Sequence, residues 1–244
     1  DHLLRTKAMN EVMMPAVQGM AKEGTPFKGV LYAGLMVDKD QIKVLEFNTR
    51  LGDPETQPIL MRLENDLVPL MEACCDGTLN HHTTKIDPRA AVCVVVAAGG
   101  YPQAYEKGHE IKGLDQAGLV PDTMVFHAGT AMADDRIVTA GGRVLGVTAL
   151  GDRVEKAIEK AYEACAKISF KDHFSRKDIG AKALKRMAVP PQVGVIMGSD
   201  SDFGVMARAL AMLKQFDIPY TVTVASAHRT PDRAAKIAAN AREK

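Results

Sequence analysis

Apolar residues recur at helical spacing through the first 22 positions, from Leu3 to Met20. This spacing predicts an amphipathic helix, with a kink or break at Pro15 because proline lacks an amide hydrogen. Two β-rich runs follow, FKGVLYAGLMVD (27–38) and QIKVLEFNTR (41–50). Because only a short polar turn at positions 39 and 40 separates them, they predict an antiparallel hairpin.

A second helix is predicted to begin at Asp53 and Pro54, since aspartate caps free backbone amides and proline is tolerated in the first helical turn. Gly77 is its predicted end, because glycine readily adopts the left-handed conformation that stops a helix. The predicted buried stripe is formed by apolar residues at helical spacing: Ile59, Leu60, Leu63, Leu67, Leu70, Met71 and Cys74.

Residues 90–150 change to short β-rich runs interrupted by glycines, AVCVVVAA, MVFHAG, RIVTA and RVLGVTAL. They predict a separate, mainly β unit, which a helix over 152–168 closes. The prolines of AVPPQ (188–192) indicate a linker. Beyond it, VGVIM, FGVMARALAMLKQF and YTVTVAS, with a helix capped at Thr230 and Pro231, predict the β-α-β-α opening of a doubly wound parallel sheet.

Composition narrows the class of protein. A chain of 244 residues with 46% hydrophobic residues builds one or two folded domains. The net charge of +1 gives no general attraction for nucleic acid or membrane, and we expect neither as a partner. No apolar run is long enough to span a bilayer and no signal segment opens the chain, so we expect a cytoplasmic protein with its four cysteines as reduced thiols. Both ends are expected to be cut, because the chain starts with Asp1 and stops inside a helical pattern.

The first candidate site is a polar cluster at the end of the predicted hairpin. Glu46 and Asn48 lie two residues apart and therefore share one face of a strand. They suit Mg²⁺, which takes hard oxygen ligands and only one or two protein groups where phosphates complete its coordination. Arg50, two residues further on the same face, would bind a phosphate or carboxylate oxygen. The alternative is an ordinary hairpin with a solvated face.

The loop after this strand is acidic. A helix N-terminus attracts phosphate, but Asp53 and Glu55 would repel it, so an amine substrate suits this loop better. The simpler role of Asp53 is a helix cap, which is compatible with binding an amine.

The second candidate site is MGSDSD, residues 197–202, directly after a buried strand and at the start of a helix. Free amides there favour a phosphate, with hydroxyl donors from Ser199 and Ser201 and with Asp202 on a ribose hydroxyl. Asp200 is expected to face solvent. The next strand ends in SAHRTP, which brings His228 to the same sheet edge. The alternative is a capped helix start with an exposed histidine.

The strings GVLYAGLM, LEFNTRLGDPETQPIL, VVVAAGGYP, VFHAGT and GGRVLGVTALG occur in the order found in phosphoribosylamine-glycine ligases. Residues 1–188 resemble the C-terminal half of that family, and RLGDPETQ (50–57) is the most diagnostic string. The resemblance implies an ATP-grasp enzyme that uses ATP as a substrate and activates glycine as an acyl phosphate for attack by phosphoribosylamine. It also implies that Glu46 and Asn48 hold Mg²⁺ or Mn²⁺ and that Arg50 and Asp53 bind substrate. The family's lid and adenine-binding strands would precede Asp1.

MGSDSD and SAHRTPDR resemble the first segment of the carboxyaminoimidazole ribonucleotide mutase family, over residues 193–244. This second resemblance implies a flavodoxin-like fold, a homo-oligomer and carboxyaminoimidazole ribonucleotide as substrate. His228 matches the family's proton-transfer residue, which suits a histidine because its pKa lies near neutral pH. The implied ribonucleotide-binding residues are Ser199, Ser201, Asp202, Ser226 and Arg229. A later glycine-rich loop would lie beyond Lys244.

The sequence therefore predicts a multidomain α/β and α+β chain. Residues 1–82 would form the C-terminal part of an ATP-grasp domain, 83–188 the ligase C-terminal domain, 189–192 a linker and 193–244 a truncated mutase domain. The predicted function is two steps of purine biosynthesis, either in a genuine fusion or in a fragmentary gene model, with this chain alone inactive. The alternatives are a non-catalytic fragment that keeps metal and phosphate sites, and an ATP-grasp carboxyaminoimidazole ribonucleotide synthase, against which RLGDPETQ argues.

Overall fold

The computed structural model describes residues 2–38, 41–188, 190–216 and 218–242. These residues fall into two compact units, one of residues 20–184 and one that combines 2–19 with 185–242. No helix in the described part of the chain is long and apolar enough to cross a membrane. All four cysteines are free thiols, as predicted.

The predicted N-terminal helix is present, but Pro15 does not break it. Helix α1 (His2–Ala8) continues through a π-helical turn (Met9–Met13) into α2 (Met14–Lys22). Pro15 lies in the first turn of α2, directly after the π turn. A π turn already departs from the regular i to i+4 bonding pattern, so the helix accommodates the proline where a regular α-helix would be interrupted.

The predicted hairpin is confirmed. Strands β1 (Tyr32–Asp38) and β2 (Gln41–Asn48) are antiparallel, with the turn residues 39 and 40 outside the described part. The register shifts after Gly34, so that Gly34 pairs with Glu46, Leu35 pairs with Val44, and Leu45 has no partner. This β-bulge changes the local twist just before the polar cluster at the end of β2.

The single helix predicted from Asp53 to Gly77 is wrong. Two helices, α3 (Thr56–Arg62) and α4 (Leu67–Asp76), occupy this stretch, and Leu63 between them forms an isolated bridge with Ile86. Helix α4 has a new N-cap, because the carboxylate of Asp66 accepts from the amide of Val68 at 2.9 Å. Gly77 ends α4 in the left-handed conformation, as predicted.

The predicted buried stripe is wrong for the same helices. Ile59 and Met71 are 48% and 58% exposed, and Ala73 is the residue of α4 that is buried. The stripe was predicted for one continuous helix. Because the chain breaks between α3 and α4, the second helix is rotated relative to the first, and residues at helical spacing no longer share one face.

Residues 90–151 form the predicted β unit. Its sheet has the order β3-β7-β4, with β3 (Ala90–Ala97), β4 (Thr123–His127) and β7 (Arg143–Gly151) all antiparallel. The strands β5 (Thr130–Ala133) and β6 (Arg136–Thr139) form a separate hairpin, of which β5 was not predicted. A short helix α5 (Leu114–Gly118) precedes β4.

The predicted closing helix is α6 (Val154–Cys165), which packs its alanine face on the sheet. Burial of Cys165 in this core raises the pKa of its thiol to about 12, so the group is not a reactive thiolate at neutral pH. The core is mainly aliphatic, and its fully buried members include Leu145, Ile168, Val94, Val96, Val144 and Val147.

The C-terminal segment has the predicted β-α-β-α order. After α7 (Ala181–Met187), the strands β8 (Val193–Met197) and β9 (Tyr220–Val224) pair in parallel and are connected by α8 (Phe203–Gln215). Strand β8 is buried on one face only, since Ile196 is 41% exposed while Val195 and Met197 are buried. The two-stranded sheet packs one face against α8, so the apolar strand β8 stays partly exposed on its other face.

The last helix, α9 (Pro231–Ala239), begins with proline at its first position, as predicted. The predicted side-chain cap at Thr230 is wrong. Its hydroxyl donates to the carbonyl of Ser226 at 3.1 Å and does not accept from the helix amides.

One ion-pair network joins the loops before β3 and β4 to helix α6. The carboxylate of Asp122 accepts from Arg89 at 2.9 Å and from Lys160 of α6 at 2.6 Å. Arg89 also binds Asp87 at 2.7 Å. These cations lower the pKa of the Asp122 carboxyl, with Lys160 as the larger cause.

We expect Asp122→Asn to lower the thermal midpoint at neutral pH by a few degrees at most, on the order expected for a partly exposed network. Asparagine keeps the backbone conformation, because it tolerates the left-handed φ of 58° at this position. A depressed folded pKa stabilises above the unfolded pKa of about 3.9 and ceases to do so as the pH falls through the folded value, so the difference from wild type should disappear in that acid range.

Thermal unfolding from pH 7 down to pH 2.5 checks this expectation. Glu159→Gln is the matched control, because Glu159 forms a single exposed pair with Lys156 and should have little effect at any pH. A difference between Asp122→Asn and wild type that persists unchanged at the lowest pH would contradict the electrostatic role.

Candidate functional site

The first polar cluster lies where β2 ends. Asn48 and Glu46 are on one face of the strand, and the amide of Asn48 donates to the Glu46 carboxylate at 2.9 Å. Their partners across the hairpin are Tyr32 and Gly34. A Cβ on Gly34 would lie only 3.1 Å from Cγ of Glu46, so a glycine there leaves space for the carboxylate.

These two side chains fit a divalent cation that is held mainly by its substrate. The described part of the chain has no group of three or more His, Cys, Asp or Glu that could hold a metal ion. A carboxylate and an amide oxygen are hard ligands, and two protein ligands suffice for Mg²⁺ where phosphates and water supply the rest. For both to bind one ion, the Asn48 amide would turn its oxygen toward it in place of the nitrogen.

Arg50 lies beyond the end of the strand, which corrects one expectation. Strand β2 stops at Asn48, so Arg50 does not continue the strand face. Its guanidinium donates to the carbonyl of Leu51 at 3.1 Å and is exposed. Its positive charge nevertheless acts on Tyr32, which places Arg50 at the same cluster.

Asp53 is not the predicted helix cap. Helix α3 begins at Thr56, whose amide and hydroxyl both donate to the carbonyl of Gly52. This local turn occupies the position that an aspartate cap would need. The Asp53 carboxylate instead accepts from Gln57 at 3.3 Å and lies 3.6 Å from the guanidinium of Arg143.

Tyr32 reports the charge of this cluster. Its hydroxyl contacts the Glu55 carboxylate at 3.5 Å. The negative charge of Glu55 is the largest cause that raises the pKa of Tyr32, followed by burial and the hydrogen bond to Glu55, while the charge of Glu46 adds to it. Two carboxylates around one hydroxyl make a site that favours a cation or an amine over a free anion.

Sequence reasoning missed three of the residues that complete the site: Tyr32, Gln57 and Arg143. Gln57 lies within RLGDPETQ, and Arg143 lies within GGRVLGV, so both stood in strings already recognised as diagnostic. The spacing of residues along the sequence did not indicate a role for Arg143, because 90 residues separate it from Asp53.

The second polar cluster follows β8. The residues Asp200–Asp202 form a 3₁₀ turn before α8, and Ser199 is its N-cap. The Asp202 carboxylate accepts from the amide of Ser199 at 2.9 Å, and the Ser199 hydroxyl lies 3.0 Å from that of Ser201. This is a capping box, in which one carboxylate oxygen of the exposed Asp202 is engaged within its own loop.

The turn that carries His228 lies at the same sheet edge, as predicted. The amide of Ala225 donates to the carbonyl of Met197 at 2.8 Å, which holds the ends of β8 and β9 together. His228 is exposed in this turn. The amide of Arg229 donates to the hydroxyl of Ser226 at 3.1 Å, so this hydroxyl stabilises the turn.

Comparison with known proteins finds three matching regions along the chain. Residues 2–56 match the profile described as phosphoribosylglycinamide synthetase, ATP-grasp (A) domain, residues 91–182 match the C domain of the same family, and residues 192–244 match AIR carboxylase. The chain thus joins a phosphoribosylglycinamide synthetase segment to an AIR carboxylase segment. We refer to residues 2–182 as the synthetase segment and to residues 192–244 as the carboxylase segment.

Individual relatives are similar in sequence to the synthetase segment. Phosphoribosylamine–glycine ligase from Vibrio parahaemolyticus is 53% identical over 184 residues, and that from Allochromatium vinosum is 54% identical over 186. Each match covers 75% of this chain, and the chain spans 43% of the length of these relatives.

A solved structure is also similar to this chain. The crystal structure of phosphoribosylamine–glycine ligase from Thermotoga maritima is 37% identical, with a TM-score of 0.62 over 71% of this chain and 42% of that chain. The mixed α/β fold with an ATP-grasp part is therefore confirmed, and the similarity to ligases argues against the synthase alternative.

The charges around Tyr32 predict that its pKa changes when Glu55 is replaced. We expect Glu55→Gln to lower the pKa of Tyr32 toward its ordinary value of about 10, because the largest cause of the increase is removed. A spectrophotometric titration of tyrosinate, with assignment by NMR, measures the shift. Glu64→Gln removes an equal charge from a residue that does not contribute to this pKa and serves as the control. A Tyr32 pKa that is the same in Glu55→Gln and wild type would refute the arrangement.

Proposed function

We propose that this chain belongs to a bifunctional enzyme of de novo purine biosynthesis. Its first activity joins glycine to 5-phosphoribosylamine with ATP to give glycinamide ribonucleotide, and its second is a carboxyaminoimidazole ribonucleotide mutase. The observation that carries the first activity is the 53% identity to a phosphoribosylamine–glycine ligase across the stretch in which Glu46, Asn48 and Glu55 surround Tyr32.

In the ligase reaction, the terminal phosphoryl group of ATP is transferred to the carboxylate of glycine, which gives glycyl phosphate and ADP. The amine of phosphoribosylamine then attacks the carbonyl carbon, phosphate leaves and one proton is released. Catalysis of such a transfer consists mainly of positioning and of stabilising charge.

Glu46 and Asn48 would hold Mg²⁺ or Mn²⁺, which neutralises negative charge on the phosphate oxygens. Arg50, exposed beside this pair, would bind a phosphate or carboxylate oxygen of the substrate. Asp53 would attract the amine of glycine or of phosphoribosylamine, since the acidic loop disfavours an anion.

In the mutase reaction, a carboxylate moves from nitrogen to carbon of the ribonucleotide, which requires a group that takes and returns a proton. His228 would do this, because it is exposed and histidine is the side chain most often used as a general acid and base. The ribonucleotide would be bound by the polar residues at the ends of β8 and β9, which are Ser199, Ser201, Asp202, Ser226 and Arg229.

Other parts of the proposal rest on the same resemblances. The carboxylase segment would associate as a homo-oligomer, which suits the apolar residues that its surface exposes, such as Val205 and Phe216 at 79% and 65%. Substrates would be small molecules, and the reactions would take place in the cytoplasm. A non-catalytic fragment with remnant binding sites remains the opposing outcome of the tests below.

We expect Glu46→Gln in the full-length protein to weaken the apparent metal affinity of ligation by about 10-fold or more, because it removes a ligand charge and keeps the volume. The measurement is the ligation rate as a function of Mg²⁺ and Mn²⁺ concentration. Glu72→Gln, an exposed glutamate of α4, is the control. Thermal unfolding should be unchanged in both variants. An unaltered metal requirement would defeat the assignment, and a wild-type protein without ligation would favour the non-catalytic alternative.

For His228→Asn in the full-length protein, we expect the mutase rate at saturation to fall by roughly 10²- to 10⁴-fold while ribonucleotide binding is retained. Ligation should be unaffected. Saturation curves with carboxyaminoimidazole ribonucleotide, together with a ligase assay on the same preparation, measure both effects. A raised half-saturation with a near-normal maximal rate would instead assign His228 to binding.

A further inference from the structure

Arg143 connects the β unit to the acidic loop of the synthetase segment. It is the first residue of β7, and its Nη1 donates to the backbone carbonyl of Asp53 at 2.8 Å. Its Nε lies 3.6 Å from Oδ2 of the same residue. One side chain therefore contacts both the backbone and the carboxylate of Asp53.

The two contacts differ in strength. A distance of 2.8 Å is that of a good charge-assisted hydrogen bond, whereas 3.6 Å is too long for one. Gln57 contacts the other carboxylate oxygen at 3.3 Å, which is also long. The backbone of Asp53 is thus held firmly, while its carboxylate, with 45% of the side chain exposed, stays available to a ligand.

Close backbone packing fixes the place from which Arg143 extends. A Cβ on Gly142 would overlap the ring of Tyr101, and one on Gly129 would lie 2.5 Å from the carbonyl oxygen of Arg143. The amide of Gly129 also donates to the carbonyl of Val144 at 3.0 Å. Since β7 is the central strand of its sheet, the start of this strand is a rigid support for the guanidinium.

We propose that Arg143 is a positioning residue, which holds the Asp53 loop through its backbone carbonyl so that the Asp53 carboxylate can bind the ammonium or amine group of a substrate. This inference rests on the proposed ligase function and adds to it a residue that acts through Asp53. A guanidinium suits the role because its fork of donors reaches the carbonyl while its charge attracts the neighbouring carboxylate.

The test uses the full-length protein with Arg143→Gln and Arg143→Lys. For Arg143→Gln we expect the KM of the substrate whose amine Asp53 binds, glycine or phosphoribosylamine, to rise by about 10-fold, with the KM of ATP unchanged. Arg143→Lys should recover part of this loss, because an ammonium can still donate to the carbonyl but lacks the fork. Arg153→Gln, which removes an exposed arginine that binds Glu155, is the control and should leave each KM as in wild type.

A double-mutant cycle with Asp53→Asn separates positioning from direct contact with substrate. If Arg143 acts by placing the Asp53 carboxylate, then Arg143→Gln should change the amine KM less than about 2-fold once that carboxylate is absent. Fully additive effects would overturn the proposal, because they would mean that Arg143 acts independently of Asp53.

Two further outcomes would also overturn it. One is an unchanged KM for both glycine and phosphoribosylamine in Arg143→Gln. The other is a joint rise in the KM of all three substrates with a lower thermal midpoint, as expected for a merely structural residue. If Arg143→Gln fails to fold, Arg143→Lys provides the same test, with an expected rise of about 3-fold. In each of these outcomes the wild-type protein still catalyses ligation. Failure of the proposed function would instead appear as a wild-type protein that does not catalyse ligation at all.

Discussion

The buried central strand β7 is the constraint on which the rest of the synthetase segment depends. It pairs with β3 on one side and β4 on the other, and Val144, Leu145 and Val147 are fully buried. Burial of each such side chain stabilises by about 1.5–3 kcal/mol, so the strand has little freedom to shift. Its far end approaches α6 closely, since a Cβ on Gly151 would overlap the amide of Ala157. A strand fixed in this way gives the candidate site a rigid edge.

Along its length β7 also lies close to helix α3, which is outside the β unit. Gly146, on β7, leaves space in which Gln57 of α3 and Cys93 of β3 approach, with an ideal Cβ only 3.3 Å from the Cys93 sulfur. Burial raises the pKa of the Cys93 thiol, so this cysteine acts as an apolar packing residue at neutral pH. The acidic loop thus lies against a packed surface on one side and faces the polar cluster of β2 on the other. The candidate site and the core of the β unit are consequently packed against each other.

The carboxylase segment depends on a weaker constraint. Two parallel strands and α8 form its core, from Val195, Met197, Phe203 and Leu210. A parallel sheet is normally covered on both faces, and here Ile196 stays exposed. Its polar residues are nevertheless held in place by local bonds, since the capping box fixes the loop after β8. Local hydrogen bonds therefore order the candidate ribonucleotide site.

The elements that could be predicted from the sequence are those with a local cause. Alternating and helical periodicity predicted the hairpin, the β unit and the β-α-β-α order, and it placed Glu46 beside Asn48, because side-chain direction on a strand repeats every two residues. Other features follow from contacts between distant segments. The break between α3 and α4, where Leu63 bridges Ile86, and the contact of Asp53 with Arg143 depend on chain segments that are distant in sequence. Periodicity describes which face a residue occupies, but only packing decides which distant segment meets that face.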